Sequence, residues 1–126
     1  MALNHLPLTT PQVIPLAAAI AAVYDNAANT KAYIRGWRLF NASTTARETV
    51  TIAIVPAAAG PVVGTAVTTP GVGLNAVFTY VLQPGESLVE DFPPDGFILV
   101  NQHDSVQAVA TDANTVTLTL FGAYDA

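Results

Sequence analysis

Val116, Leu118 and Leu120 alternate with Thr115, Thr117 and Thr119 near the end of the chain. A period of two places the valine and leucines on one face of a strand and the threonines on the other. A helix would scatter the same residues around its circumference, so this pattern limits the segment to a half-buried strand. Residues 48–56, ETVTIAIVP, repeat the signal, with Val50, Ile52 and Ile54 on one face and Thr49, Thr51 and Ala53 on the other. Two clean alternations in a chain of 126 residues predict a β-sheet protein.

The other segments extend the same reading. In AYIRGWRLFN, residues 32–41, the inward residues are Ile34, Trp37 and Leu39, and alternation slips between Ile34 and Trp37. A β-bulge at Arg35-Gly36 restores the register, and glycine is the residue that tolerates one. NAVFTYVLQ forms a strand that stops at Pro84-Gly85, a turn dipeptide. In SLVEDF, Leu88, Glu90 and Phe92 share one face, with Val89 and Asp91 on the other, before the turn at residues 93–96. FILVNQ, SVQAVATD and NTVTLTLFGAY complete the chain. The expected fold is all-β: a single antiparallel, jelly-roll-like sandwich of seven or eight short strands separated by Gly, Pro, Asn and Asp.

Two segments stand apart. Pro7, Pro11 and Pro15 punctuate the first fifteen residues, which excludes a helix or a central strand. The expectation is an extended Pro-rich arm whose Leu3, Leu6, Leu8, Val13 and Ile14 pack on their own domain or on a neighbour. Residues 16–24, LAAAIAAVY, fit either a turn or two of helix or a first strand ending at Tyr24. We therefore divide the chain into an arm and lead-in, residues 1–24, and a sandwich domain, residues 25–126. Residues 57–75 form a long Gly/Pro loop, with a short strand through Val62 and Val63 and further apolar groups at Val72 and Leu74. Loops of this length in compact domains usually make contacts or carry function.

Charge then constrains the partners. Only 10% of residues are charged, against about 25% in an average soluble domain, while 52% are hydrophobic. Thr, Ala, Asn and Gln must cover much of the surface, together with apolar groups expected to face other subunits. A net charge of −5 argues against nucleic-acid binding, which needs clustered Lys and Arg. The four basic residues, Lys31, Arg35, Arg38 and Arg47, lie close together in sequence, while most of the acids follow them. This asymmetry suits orientation of neighbouring subunits, and we single out Arg35 and Arg38 as assembly contacts. With no cysteine, disulfides and thiolate metal sites are excluded. The longest apolar run, Leu16 to Tyr24, is far below the roughly 20 residues of a membrane span, and nothing basic precedes it as in a secretory signal.

No constellation supports catalysis. His103-Asp104-Ser105 holds the residue types of a hydrolase triad, but neighbours in one turn cannot adopt triad geometry. Glu90 and Asp91 point to opposite faces of a strand and cannot flank one glycosidic bond. His5 and His103 lack a third metal ligand, and Asp91, Asp95, Asp104 and Asp112 lack a calcium-loop spacing. The glycines of residues 60–73 have no Gly-Lys-Ser/Thr, so no phosphate loop exists. Trp37, Tyr33, Phe78 and Tyr80 would make a sugar-stacking platform on an exposed face; core packing is the expectation for Trp37 and Phe78. No catalytic residue, cofactor or metal is assigned.

Residues 31–56, KAYIRGWRLFNASTTARETVTIAIVP, resemble the opening hairpin of a group of small bacteriophage virion proteins. Residues 104–122, DSVQAVATDANTVTLTLFG, are similar to their closing hairpin, and LQPGESLVEDFP matches the intervening strand, Pro-Gly turn and strand. Trp37, Arg38 and the Pro-rich arm depart from the shared pattern. The resemblance implies a structural subunit assembled in the host cytoplasm into the virion. The leading expectation is a capsid decoration (cement) protein that oligomerises, as a trimer, on the major capsid protein. A neck, tail or baseplate component and a carbohydrate-binding host-attachment module are the alternatives. Neither nucleic acid nor membrane is an expected partner.

Overall fold

The computed structural model describes residues 6–7, 13–19, 21–55, 76–92 and 96–125. Its strands are β1 (Leu6–Pro7), β2 (Ile14–Pro15), β3 (Ala21–Asp25), β4 (Lys31–Asn41), β5 (Glu48–Val55), β6 (Ala76–Leu82), β7 (Ser87–Asp91), β8 (Phe97–Leu99), β9 (Ser105–Ala110) and β10 (Val116–Asp125). They form two antiparallel sheets, and no helix occurs among the described residues. One sheet runs β1-β10-β4-β7, with β2 also on β10 and β8 also on β4; the other runs β3-β9-β5-β6. The expected antiparallel sandwich is thus the observed fold.

Alternation builds the core between the sheets. Ile34, Trp37 and Leu39 of β4 have no exposed surface, nor do Val50, Ile52 and Ile54 of β5 or Val116, Leu118 and Leu120 of β10. Full burial of one such side chain stabilises the fold by about 1.5–3 kcal/mol. Aromatic rings close the β6–β7 side. Trp37 meets Phe92 at 4.8 Å and Phe78 at 5.1 Å between ring centroids, both edge-on. Phe97 lies 5.0 Å from Phe92 and 5.8 Å from Phe78.

The slip in the β4 pattern is a bulge at the expected place. Phe121 of β10 pairs with Gly36 and the next residue, Gly122, pairs with Ile34, leaving Arg35 extra. On the opposite edge, β7 pairs with residues 36–40 and β8 with residues 32–34, so these two strands share one edge in series across the bulge. Phe92 N–H donates to the Arg35 carbonyl at 2.9 Å and holds the changeover. Gly36 is required sterically, because a Cβ there would lie 2.3 Å from the Glu90 carbonyl oxygen.

The end of the alanine-rich lead-in, from Ala21 on, takes the strand alternative. Ala21–Asp25 pairs with β9, and Leu16 is buried in the core. The division at residue 24 therefore falls inside β3. Ahead of it, Ile14 and Pro15 pair with Leu118 and Thr117, while Leu6 and Pro7 pair with Gly122 and Phe121. Both prolines sit on an outer edge, where a missing N–H removes no bond from a sheet interior.

Two buried asparagines terminate strands. Asn26 Nδ2 donates to the carbonyls of Thr30, Leu99 and Asn101 at 2.8–3.3 Å, and its Oδ1 accepts from the Tyr24 hydroxyl. Asn41 Nδ2 donates to the carbonyls of Ala46, Leu82 and Gln83 at 2.9–3.2 Å, and its Oδ1 accepts from Ser43 N–H. Each side chain satisfies chain ends that the sheet ladders leave unpaired.

Candidate functional site: the outer face of the six-stranded sheet

The outward positions of β4, β7 and β10 form rows across the six-stranded sheet. Thr117, Phe40 and Ser87 make one row, Thr119, Arg38 and Val89 the next, and Phe121, Gly36 and Asp91 the third. Val13, just before β2, joins this face. Val13, Arg38, Phe40, Thr117 and Thr119 line a shallow hollow of about 160 Å³. Val13 is 52% exposed, Phe40 37% and Val89 59%, so three large apolar groups face solvent around one arginine. Aliphatic and aromatic carbon with threonine hydroxyls and a single guanidinium can bind a protein surface; the lining side chains include no carboxylate or imidazole to act as a general base.

Of the predicted assembly residues, the structure brings Val13 and Arg38 together. Ile14 is half-buried in β2, and Leu6 contributes its backbone to the β10 edge. Arg35 is half-buried at the bulge, with its Nε buried and unpaired. Leu3, Leu8, Val62, Val63, Val72 and Leu74, and with them the loop 57–75, lie outside the described residues. Phe40 and Val89 were missed, although the signal was available. Each is an apolar residue at an outward parity position, opposite Leu39 and Leu88.

The other candidate groups are occupied structurally. His103 adopts φ 70° in the β8–β9 turn, and its Nδ1 lies 3.0 Å from an Asp25 carboxylate oxygen. Asp104 accepts from the Val100 and Asn101 amides at 3.1 and 2.9 Å, and Ser105 Oγ accepts from Gln107 at 3.2 Å. The three consecutive residues therefore engage three separate sets of partners. Among the described residues no group of three or more His, Asp or Glu could hold a metal ion.

Trp37 is in the core, with Phe78 and Tyr80 packed against it. Trp37 Nε1–H donates to the Tyr80 hydroxyl at 3.1 Å, and that hydroxyl donates to Glu90 at 3.2 Å. Burial, with a smaller contribution from the Glu90 charge, pushes the Tyr80 phenol up to about 12. Tyr33 lies at the opposite parity of β4, 3.5 Å from Asp125. The four aromatic residues weighed for sugar stacking do not share an exposed face.

Comparison with protein-family models, curated proteins and solved structures found no match. The outer face is accordingly characterised by its own chemistry.

Proposed function

We propose that this chain is a structural subunit of a bacteriophage particle: a decoration (cement) protein that docks on the head through the outer face of its six-stranded sheet. The observation that carries this reading is the exposed cluster of Val13, Phe40 and Val89 around Arg38, on a chain with only four Lys and Arg in total. Contiguous apolar surface of this kind marks interaction sites on soluble domains. The resemblance of residues 31–122 to small virion proteins supplies the context, and the major capsid protein is the proposed partner.

Mechanistically, the sandwich supplies a rigid block and the sheet face a contact area with one directional charge. A closed trimer on a three-fold position of the shell would multiply weak contacts through avidity. Cosedimentation with purified heads, comparing the wild-type chain with the Phe40→Asp/Val89→Asp variant, tests this reading. The wild type is expected to pellet with heads, and the variant to stay in the supernatant with its melting transition retained. Equal pelleting of both would remove the face from the mechanism, and failure of the wild type to pellet would remove the head as its target.

A further inference from the structure

Glu48 opens β5 and has no exposed surface, although it is a carboxylate. Its Oε1 accepts the Asp112 amide at 2.9 Å, whereas its Oε2 is buried without a hydrogen-bond partner. Asp112 stands in the β9–β10 turn and is the charged group that faces Glu48. The neighbouring positions are apolar: Leu82 is the partner of Glu48 on β6, and Ala110 on β9 is the partner of Val50. Arg47, just before β5, is exposed. A charge at Glu48 is thus desolvated, half unsatisfied and opposed by a second carboxylate.

The position gives this pair leverage. The turn is clipped to β5 by Thr111 N–H to the Thr49 carbonyl at 3.2 Å and Thr49 N–H to Thr111 Oγ1 at 3.1 Å. Two residues beyond Asp112, Asn114 N–H donates to the Leu16 carbonyl at 2.9 Å, and Leu16 N–H donates to Val116 at 2.8 Å. The turn therefore joins the start of β5 to the root of the N-terminal arm.

We propose that Glu48, facing Asp112, is a proton-operated latch on the β9–β10 turn, closed when the Glu48 carboxyl carries its proton and loosened when it ionises beside the Asp112 carboxylate. The released proton goes to solvent, and the two like charges then press the turn away from β5. Burial raises the Glu48 carboxyl above its ordinary value of 4.5, and the Asp112 charge adds to the rise. A group raised on folding contributes stability that is complete below its unfolded value and is lost as pH rises through its folded value. The latch accordingly closes on acidification and opens upward from pH 4.5.

Hydrogen exchange of the Asp112, Asn114 and Leu16 amides, corrected for intrinsic rates and followed from pH 4 to 8, tests the latch. In the wild type, protection is expected to fall with rising pH, by no more than about tenfold per pH unit, the limit for one proton. Glu48→Gln keeps an acceptor for the Asp112 amide and is expected to flatten this dependence. Asp112→Asn, which removes the opposing charge, should move the Glu48 carboxyl ¹³C titration to lower pH even if the Gln variant folds poorly. A Glu48 carboxyl that titrates at its ordinary value, or protection with the same pH dependence in wild type and Glu48→Gln, would overturn the proposal.

Discussion

Replacing Gly36 by alanine probes the bulge on which the two-part edge of β4 depends. The added Cβ would lie 2.3 Å from the Glu90 carbonyl oxygen, below the 3.0 Å that real Cβ contacts respect. The obstacle is backbone, so β7 must retreat from β4 by at least 0.7 Å, the difference between those distances. Overpacking of this kind costs about 1–3 kcal/mol, and no flexible side chain is available to absorb it. Weakening one ladder bond adds about 1 kcal/mol. The lower chain entropy of alanine returns about 0.5–1 kcal/mol. The net loss is about 2 kcal/mol, or roughly 6–10 °C in Tm for a chain of this size. Trp37 is the single tryptophan, next to Gly36 in the chain and fully buried, so its fluorescence reports unfolding in urea. A Gly36→Ala protein within about 0.5 kcal/mol of wild type, the scatter of neutral surface substitutions, would refute the steric account.

Other expectations follow from single contacts. Tyr80→Phe leaves the Trp37 Nε1–H without its acceptor and should cost about 1–3 kcal/mol in urea unfolding. Because folding raises the Tyr80 phenol from 10.0 to about 12, wild-type stability should decline as pH rises through that window. The Phe variant should lack this part of the decline in alkaline melts. Asn41→Ala strands the carbonyls of Ala46, Leu82 and Gln83 and should lower stability by about 2–3 kcal/mol, measured by chemical denaturation. Asp25→Asn weakens a partly exposed pair with His103 and should change stability by less than about 1 kcal/mol at pH 6.

Strand faces were legible because burial and parity coincide. Alternation placed Val50, Ile52, Ile54, Val116, Leu118 and Leu120 on one face, and all six are buried; the broken alternation at Arg35-Gly36 located the bulge. Residues 16–24 were not legible, since an alanine-rich run carries little information about period; pairing with β9 decides the matter for residues 21–25. The buried roles of Asn26 and Asn41 were also hidden. Turn chemistry explains an asparagine at each position, but only the fold brings carbonyls from Leu99 and Leu82 within reach. At the candidate site, Arg38 and Val13 were singled out for charge and for the arm. Phe40 is an apolar residue at an outward position of β4, a strand whose inward set of Ile34, Trp37 and Leu39 is complete without it. Glu48 was equally hidden, as its burial depends on a turn more than sixty residues away in sequence.

Immunogold labelling of intact phage particles from cells that produce the chain decides whether it is a subunit of the head. A decoration subunit predicts label distributed over the head surface, and stoichiometric recovery of the chain with purified particles. Label confined to the tail axis would move the chain to the neck, tail or baseplate, and absence from purified particles would contradict a virion role altogether.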